Sequence, residues 1–143
     1  MIILDTDHVT VLRYPEQSLY APLTSRMSRS TDSAFAVTAV SIEEQLRGWL
    51  AAIHRKRDIH GQILYYTRLT GLIEFFGRWQ IVPFNEPAAD RFFALRQGGL
   101  RIGTMDLKIA SIALEQGALL LSANLRDFQQ VPGLRVEDWL HSP

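Results

Sequence analysis

The chain contains no cysteine, and this absence excludes several kinds of chemistry at once. Disulfide bonds, thiolate catalysis and cysteine-ligated zinc or iron–sulfur clusters are ruled out, while the redox compartment stays undetermined. The 4 histidines lack metal-ligand spacing such as H-E-x-x-H, and we interpret them as surface or packing residues: His8, His54, His60 and His141. Candidate chemistry therefore has to come from other side chains.

A net charge of one sign and long apolar segments are also missing. Lys and Arg number 15 and Asp and Glu number 15, so the chain lacks the strong positive field of a non-specific nucleic-acid binder. No apolar run reaches the length of a membrane helix, and no basic segment precedes the short apolar run at the start. We expect a cytoplasmic protein with no membrane segment. Its 143 residues, 47% of them hydrophobic, predict a single domain over 1–143.

Short apolar runs alternate with helical patterns along the chain. Strands are predicted at 2–4, 35–37, 80–84, 119–122 and 134–136, and helices at 6–13, 16–29, 57–77, 88–97, 105–116 and 126–129. Ser41 and Glu44 fit a capping box that would begin a further helix, and Thr104 is the predicted N-cap of the helix 105–116. Strands alternating with crossover helices predict an α/β sandwich built on a mostly parallel sheet.

Polar, mostly acidic side chains recur where apolar strands meet helix starts. They are Asp5, Glu44, Asp106, Asn124 and Asp127. Ligands of open α/β sheets gather in the crevice outside the carboxyl ends of the strands, so we expect these side chains to converge there. Crowded carboxylates repel one another unless cations neutralise them, and hard oxygen ligands favour Mg²⁺ or Mn²⁺. The matching reaction is metal-assisted hydrolysis of a phosphodiester.

Four stretches and the C-terminal segment resemble a known family, the PIN-domain ribonucleases, and within them the VapC-type toxins of VapBC toxin–antitoxin systems. The stretches are ILDTDH at 3–8, TAVSIEEQLRG at 38–48, IGTMDLKIA at 102–110 and SANLRDF at 122–128. The segment VPGLRVEDW at 131–139 is also typical of these toxins. In the second motif the glutamate stands four residues before a glycine, and this spacing selects Glu44 over Glu43. The resemblance covers the chain from end to end.

The resemblance implies a PIN-like three-layer sandwich and a metal-dependent endoribonuclease. Asp5, Glu44, Asp106 and Asp127 would bind Mg²⁺ or Mn²⁺, with Asn124 assisting. The products of RNA cleavage would carry a 5′-phosphate and a 3′-hydroxyl. The implied role is a toxin that cleaves structured cellular RNA, such as transfer or ribosomal RNA, and that a cognate antitoxin protein holds inactive. A homodimer is also implied, with apolar surface offered by the helix 57–77 through Tyr65, Tyr66, Phe75 and Phe76.

Two positions depart from the family pattern. Asp7 stands where asparagine is more usual, and it could join the site or merely cap the first helix. Asn124 stands where many relatives have an acid, so the fourth ligand could be Asn124 or the nearby Asp127. Taken singly, each acid also has a plain alternative role as a helix cap or a dipole-favoured acid.

Basic side chains offer candidate contacts for RNA phosphates. Arg47, Arg101 and Arg126 lie near the motifs, and the run Arg55-Lys56-Arg57 is either a solvated face or a further phosphate contact.

Two other functions fit parts of the sequence. The pattern Asp5-Thr6-Asp7 matches the nucleophile motif of haloacid-dehalogenase-like phosphatases, although His8 and Val9 replace the glycine and threonine that normally follow. A PIN-fold module that binds RNA or a partner without turnover is the other alternative, because Asn124 replaces an acid.

Overall fold

A computed structural model describes residues 1–141, and its centre is one parallel sheet. The strands are β1 (Ile2–Leu4), β2 (Phe35–Thr38), β3 (Gln80–Val82), β4 (Leu119–Leu121) and β5 (Arg135–Glu137). They form a 5-stranded sheet in the order β3-β2-β1-β4-β5, and every neighbouring pair is parallel. The sequence-based prediction of an α/β fold on a mostly parallel sheet is confirmed.

Each connection between strands contains helix, as parallel pairing requires. The helices are α1 (Thr6–Arg13), α2 (Tyr20–Ser28), α3 (Ala39–Arg55), α4 (Ile63–Phe76), α5 (Glu86–Gln97), α6 (Thr104–Glu115) and α7 (Leu125–Phe128), with a 3₁₀ turn at His60–Gln62 before α4. No helix within residues 1–141 is long and apolar enough to cross a bilayer.

Side chains alternate between the two faces of the sheet with the period of a strand. Ile3 and Leu120 pack on one face with the apolar residues of α6 and α7, including Leu107 and Phe128. Leu4 and its neighbours on the other face pack against α1 and α4. Both faces are therefore covered by helices, which is why the central strands are apolar throughout.

The carboxyl ends of the central strands lie level with one another. Leu4 pairs with Val37 of β2 on one side and with Leu121 of β4 on the other. The residues that follow these three strands consequently start from one edge of the sheet. This edge holds the predicted site.

Several predicted boundaries are wrong. The predicted helix 16–29 begins at Tyr20, and the predicted helix 57–77 begins at Ile63 after the 3₁₀ turn. The predicted strand 80–84 ends at Val82. Gly103, not Thr104, is the N-cap of α6, and Thr104 is its first residue. The surface predicted on α4 is also partly wrong, because Phe76 is buried in the core.

The predicted capping box is wrong as well. Helix α3 begins at Ala39, and its N-cap is Thr38, the last residue of β2. The Thr38 hydroxyl accepts a hydrogen bond from the Ser41 N–H at 3.0 Å. Ser41 therefore lies inside the first turn of α3, and Glu44 does not take part in capping this helix.

Candidate active site

Asp5 lies immediately after β1, at the buried centre of the sheet edge. Its side chain is 7% exposed, and it is the N-cap of α1. One carboxylate oxygen, Oδ1, accepts from the Thr6 N–H at 2.7 Å, and Oδ2 accepts from the Ser122 hydroxyl at 2.8 Å. Asp5 therefore combines the capping role and the site position that the sequence left as alternatives, and Ser122 fixes its orientation from the end of β4.

Asp7 connects α1 to the loop after β4. Its Oδ2 accepts from the Ala123 N–H at 2.8 Å, and its Oδ1 lies 2.6 Å from Nδ1 of the fully buried His8. His8 Nε2 accepts from the Trp139 N–H at 3.1 Å, so Nδ1 carries the ring proton and donates it to Asp7. Asp7 is not the N-cap of α1, although its Oδ1 also accepts from the His8 N–H in the first turn; its Oδ2 holds the β4 loop in place.

Asn124 lies between two acids. Its Nδ2 donates to Asp106 Oδ2 at 3.2 Å and to Asp127 Oδ2 at 3.1 Å. Both carboxylates accept hydrogen bonds, so the amide nitrogen, and not the amide oxygen, has to face them. The structure assigns Asn124 the role of a neutral donor that holds Asp106 and Asp127 together.

Glu44 lies in the second turn of α3 and points toward the same edge. Among residues 1–141, its Oε1 and Thr6 Oγ1 are the buried side-chain polar atoms without a hydrogen-bond partner. The neighbouring Glu43 is exposed and pairs with Arg47 one turn along the helix. A buried carboxylate oxygen that lacks a hydrogen-bond partner is costly, and a water molecule or a cation would satisfy it.

The acids raise one another's pKa. Burial, followed by the charge of Asp7, raises the pKa of Asp5 to about 7. Burial, followed by the charge of Asp106, raises the pKa of Glu44. Burial, followed by the charge of Asp127, raises the pKa of Asp106. A nearby cation would relieve both the burial cost and the mutual repulsion of these carboxylates.

The donor set fits a hard divalent cation of the Mg²⁺ type. Within residues 1–141, no three side chains from Asp, Glu and His stand close enough together to hold an ion as they are. This wide spacing of the acidic side chains still fits Mg²⁺, because Mg²⁺ usually binds one or two protein carboxylates and completes its coordination shell with waters and substrate phosphates. Asp5 and Asp106 stand where they could provide such carboxylates, and the unpartnered Glu44 oxygen could provide another.

The sequence analysis missed one residue of the site, Ser122, and one contact, that of Asp7. Ser122 bonds Asp5 and also accepts from the Asn124 N–H at 3.0 Å. A serine directly after a buried apolar strand was the available signal. Asp7 was recognised, but its contact with Ala123 joins positions far apart in the chain, and no local pattern reports such a contact. Arg47 is exposed and pairs with Glu43, and its contact with RNA phosphate stays a prediction.

The geometry defines a class of protein: a parallel α/β domain with acidic side chains at the carboxyl edge of its sheet. No family model matches the chain. It is 36% identical over 69 residues to ribonuclease VapC2 of Rickettsia felis, an alignment that covers 46% of this chain and 52% of the relative. It is 32% identical over 69 residues to the tRNA(fMet)-specific endonuclease VapC of Salmonella typhimurium, with the same shares. The match therefore spans about half the length of these curated relatives.

The structural match extends over nearly the whole chain. The VapBC2 structure from Rickettsia felis, bound to a DNA fragment from its promoter, superposes with a TM-score of 0.71 and 23% identity. The superposition covers 97% of this chain and 99% of that chain. The protein therefore has the PIN-domain fold of VapC structures, and the resemblance found in the sequence motifs predicts this fold correctly.

Proposed function

We propose that this protein is a metal-dependent endoribonuclease and the toxin of a toxin–antitoxin pair, acting in the cytoplasm. The observation that carries the proposal is the convergence of Asp5, Glu44 and Asp106 at the carboxyl edge of the sheet, with raised pKa values and an unpartnered Glu44 oxygen. The curated relatives are named ribonucleases and a tRNA-specific endonuclease, which supports RNA as the substrate and structured RNA such as transfer RNA as its class.

The residues of the chain would divide the work as follows. Asp5, Glu44, Asp106 and Asp127 would hold Mg²⁺ or Mn²⁺, and the bound ion would polarise the phosphodiester and acidify the attacking water. Ser122 keeps one oxygen of Asp5 in place through its hydroxyl. Asn124 keeps Asp106 and Asp127 from separating under their mutual repulsion. The site offers no nucleophilic thiol, and no covalent enzyme intermediate is expected.

An antitoxin partner and a homodimer belong to the same proposal. The superposing VapBC2 structure is a complex of two protein components, which supports a small protein partner for this chain. For the homodimer, the exposed apolar side chains on α3 and around α4 offer a surface: Leu50, Ile59, Ile63, Leu64, Tyr66 and Ile73. Light scattering of the purified chain, with and without a charged substitution at Leu50, would test it.

A specific observation weakens the phosphatase alternative. A second aspartate that served as general acid or base would have to be within reach of the proton that it transfers. Here Asp7 is held on both oxygens, by the Ala123 N–H and by His8. The other alternative is a module that binds RNA or a partner. Only an assay of RNA cleavage distinguishes it from the proposed enzyme.

The experiment is cleavage of total cellular RNA by the purified chain with Mg²⁺ or Mn²⁺, with EDTA and an Asp5→Asn variant as controls. We expect discrete fragments with 5′-phosphate ends that disappear in both controls. RNA binding without cleavage by folded, metal-supplied protein would favour the binding module. Hydrolysis of small phosphate esters, with no action on RNA, would favour the phosphatase.

A further inference from the structure

A cavity of about 390 Å³ opens beside the acids, between α1 and α3. We call it the α1–α3 cavity. Thr6 and Glu44 line it, so it begins where the candidate active site ends. Its size lies within the range of about 300–1,000 Å³ that is usual for sites that bind small molecules. The cavity is therefore large enough for a single planar group next to the reacting phosphate.

One face of α3 forms the floor of this cavity. Glu44, Gly48 and Ala52 line it at intervals of four residues, which places them on one side of the helix. A Cβ added at Gly48 would meet nothing within 4 Å. Gly48 thus leaves open space one helical turn from the catalytic glutamate, and any larger side chain there would project into the cavity.

The walls of the cavity include flat aromatic surfaces. Tyr14 and Trp49 line it, and the Trp49 ring is backed by Tyr65 at a centroid distance of 6.2 Å. Aromatic side chains of this kind stack on nucleobases, and they accept any base because every base has a π-face. The walls therefore suit a base better than an aliphatic group.

Polar side chains of the cavity are held in position. An Arg13 guanidinium N–H donates to Gln45 Oε1 at 3.2 Å, and Gln45 Nε2 donates to Thr10 Oγ1 at 3.3 Å. Arg13 also lies over the Tyr14 ring, 5.4 Å from its centroid. A guanidinium has five N–H donors, so Arg13 keeps others free for a base edge or a phosphate.

Basic side chains lie at the end of the α1–α3 cavity that is farther from the acids. A smaller cavity of about 130 Å³ is lined by Ala52, Arg55, Lys56 and Tyr65, and so shares Ala52 with the α1–α3 cavity. Arg55 lies 11 residues after Glu44 on the same helix, which is about 17 Å along its axis. The basic run at 55–57 therefore lies where the phosphates of a strand leaving the cavity would pass.

We infer that the α1–α3 cavity binds one unstacked nucleobase of a single-stranded segment of RNA, next to the phosphodiester held at the acids. The inference rests on the proposed ribonuclease function. Specific RNA recognition targets loops and bulges whose bases are splayed out and stacked on aromatic or guanidinium planes, and the cavity provides both. A peptide segment of a partner protein is the competing occupant.

The position of the base is tested by fluorescence. An Asp5→Asn background removes turnover, and short homopolymeric single-stranded RNAs are added with Mg²⁺. We expect RNA to quench tryptophan emission, with the quenching reduced in Trp49→Phe and retained in the matched variant Trp79→Phe. Equal quenching in both variants would contradict the placement of a base at Trp49.

A larger side chain at Gly48 tests whether the open space beside this residue holds a base. Gly48→Leu places a side chain in the α1–α3 cavity, and Gly71→Leu makes the same change at another open helical glycine, in α4. Leucine is a better helix former than glycine, so neither change weakens its helix. We expect Gly48→Leu to raise the Kd for RNA roughly 5- to 150-fold, the loss expected for one stacked base, while Gly71→Leu leaves it unchanged.

The outcomes separate this inference from the proposed function. If RNA is cleaved and bound but the two leucine variants bind it alike, the cavity does not hold a base and the ribonuclease proposal stands. If Gly48→Leu weakens binding of a partner peptide and leaves RNA binding intact, the cavity is a peptide site and the inference is wrong. If RNA is neither bound nor cleaved, both proposals fail.

Discussion

Replacing Asp5 with asparagine should stabilise the metal-free protein at neutral and alkaline pH while abolishing the proposed cleavage of RNA. A carboxyl whose pKa moves from 3.8 to about 7 on folding destabilises the folded state by about 4 kcal/mol when it is ionised. The amide of asparagine is nearly the same size and has no charge to bury. Losing one hydrogen bond to Ser122 or Thr6 would cost about 1 kcal/mol, so we expect a net gain of about 2–4 kcal/mol near pH 8.

The gain should depend on pH in a defined direction. Below pH 3.8, Asp5 is protonated in both the folded and the unfolded protein, and the substitution should change stability little. As pH rises from there to about 7, the unfolded chain releases the proton first, so the wild type loses stability relative to Asp5→Asn. Above about 7 the difference should stay constant.

Urea unfolding in EDTA at several pH values measures this difference directly. Asp90→Asn, at an exposed position on α5, is the control and should leave stability unchanged at every pH. Saturating Mg²⁺, at about 100 times its Kd, should restore about 2.7 kcal/mol to the wild type and less to Asp5→Asn. A loss of stability in Asp5→Asn near pH 8, or a gain that does not vary with pH, would refute the idea that Asp5 bears a burial penalty.

Three further substitutions test other parts of the site and its helix. Glu44→Gln should lower RNA cleavage by about 100-fold or more, because the site loses a charged oxygen ligand, while Glu43→Gln should leave cleavage intact; rates on the same RNA decide this. Ser122→Ala should lower activity or metal affinity about 10- to 100-fold by freeing Asp5, whereas Ser111→Ala, whose hydroxyl bonds only within α6, should not. Thr38→Ala should cost about 1 kcal/mol in urea unfolding because it removes the N-cap of α3, and an unchanged midpoint would contradict that cap.

The sheet was predictable because apolar runs with polar ends are a strong signal for buried parallel strands. Residues such as Ile3 and Leu120 are fully buried in a sheet that helices cover on both faces. Short apolar runs of this kind are typical of buried parallel strands, so the prediction of strands was correct. The start of α3 was not predictable in the same way. Ser41 and Glu44 imitate a capping box, while the actual cap, Thr38, is the last residue of a strand, and only the tertiary structure decides between them.

The sequence predicted most of the residues that belong to the candidate site. It did not predict the hydrogen bonds that those residues make with one another. Asp5 could be placed at one edge of the sheet because it follows a strand, and Asp106 because it begins a helix whose N-terminus could face the same crevice. The sequence did not show that Asn124 would donate to two acids or that Asp7 would hold the β4 loop. These contacts depend on which loops approach each other, and local patterns carry no information about that.

Asp5 and Ser122 lie far apart in the sequence, and this limits when the contact between them can form. The two are separated by 117 positions, and β1 cannot be completed until β4 has been made to pair with it. During synthesis, at about 5–20 residues per second, the ribosome adds 117 further residues after Asp5 before the Ser122 hydroxyl that binds its Oδ2 is present. The proposed site therefore cannot be assembled before residue 122 has been synthesised.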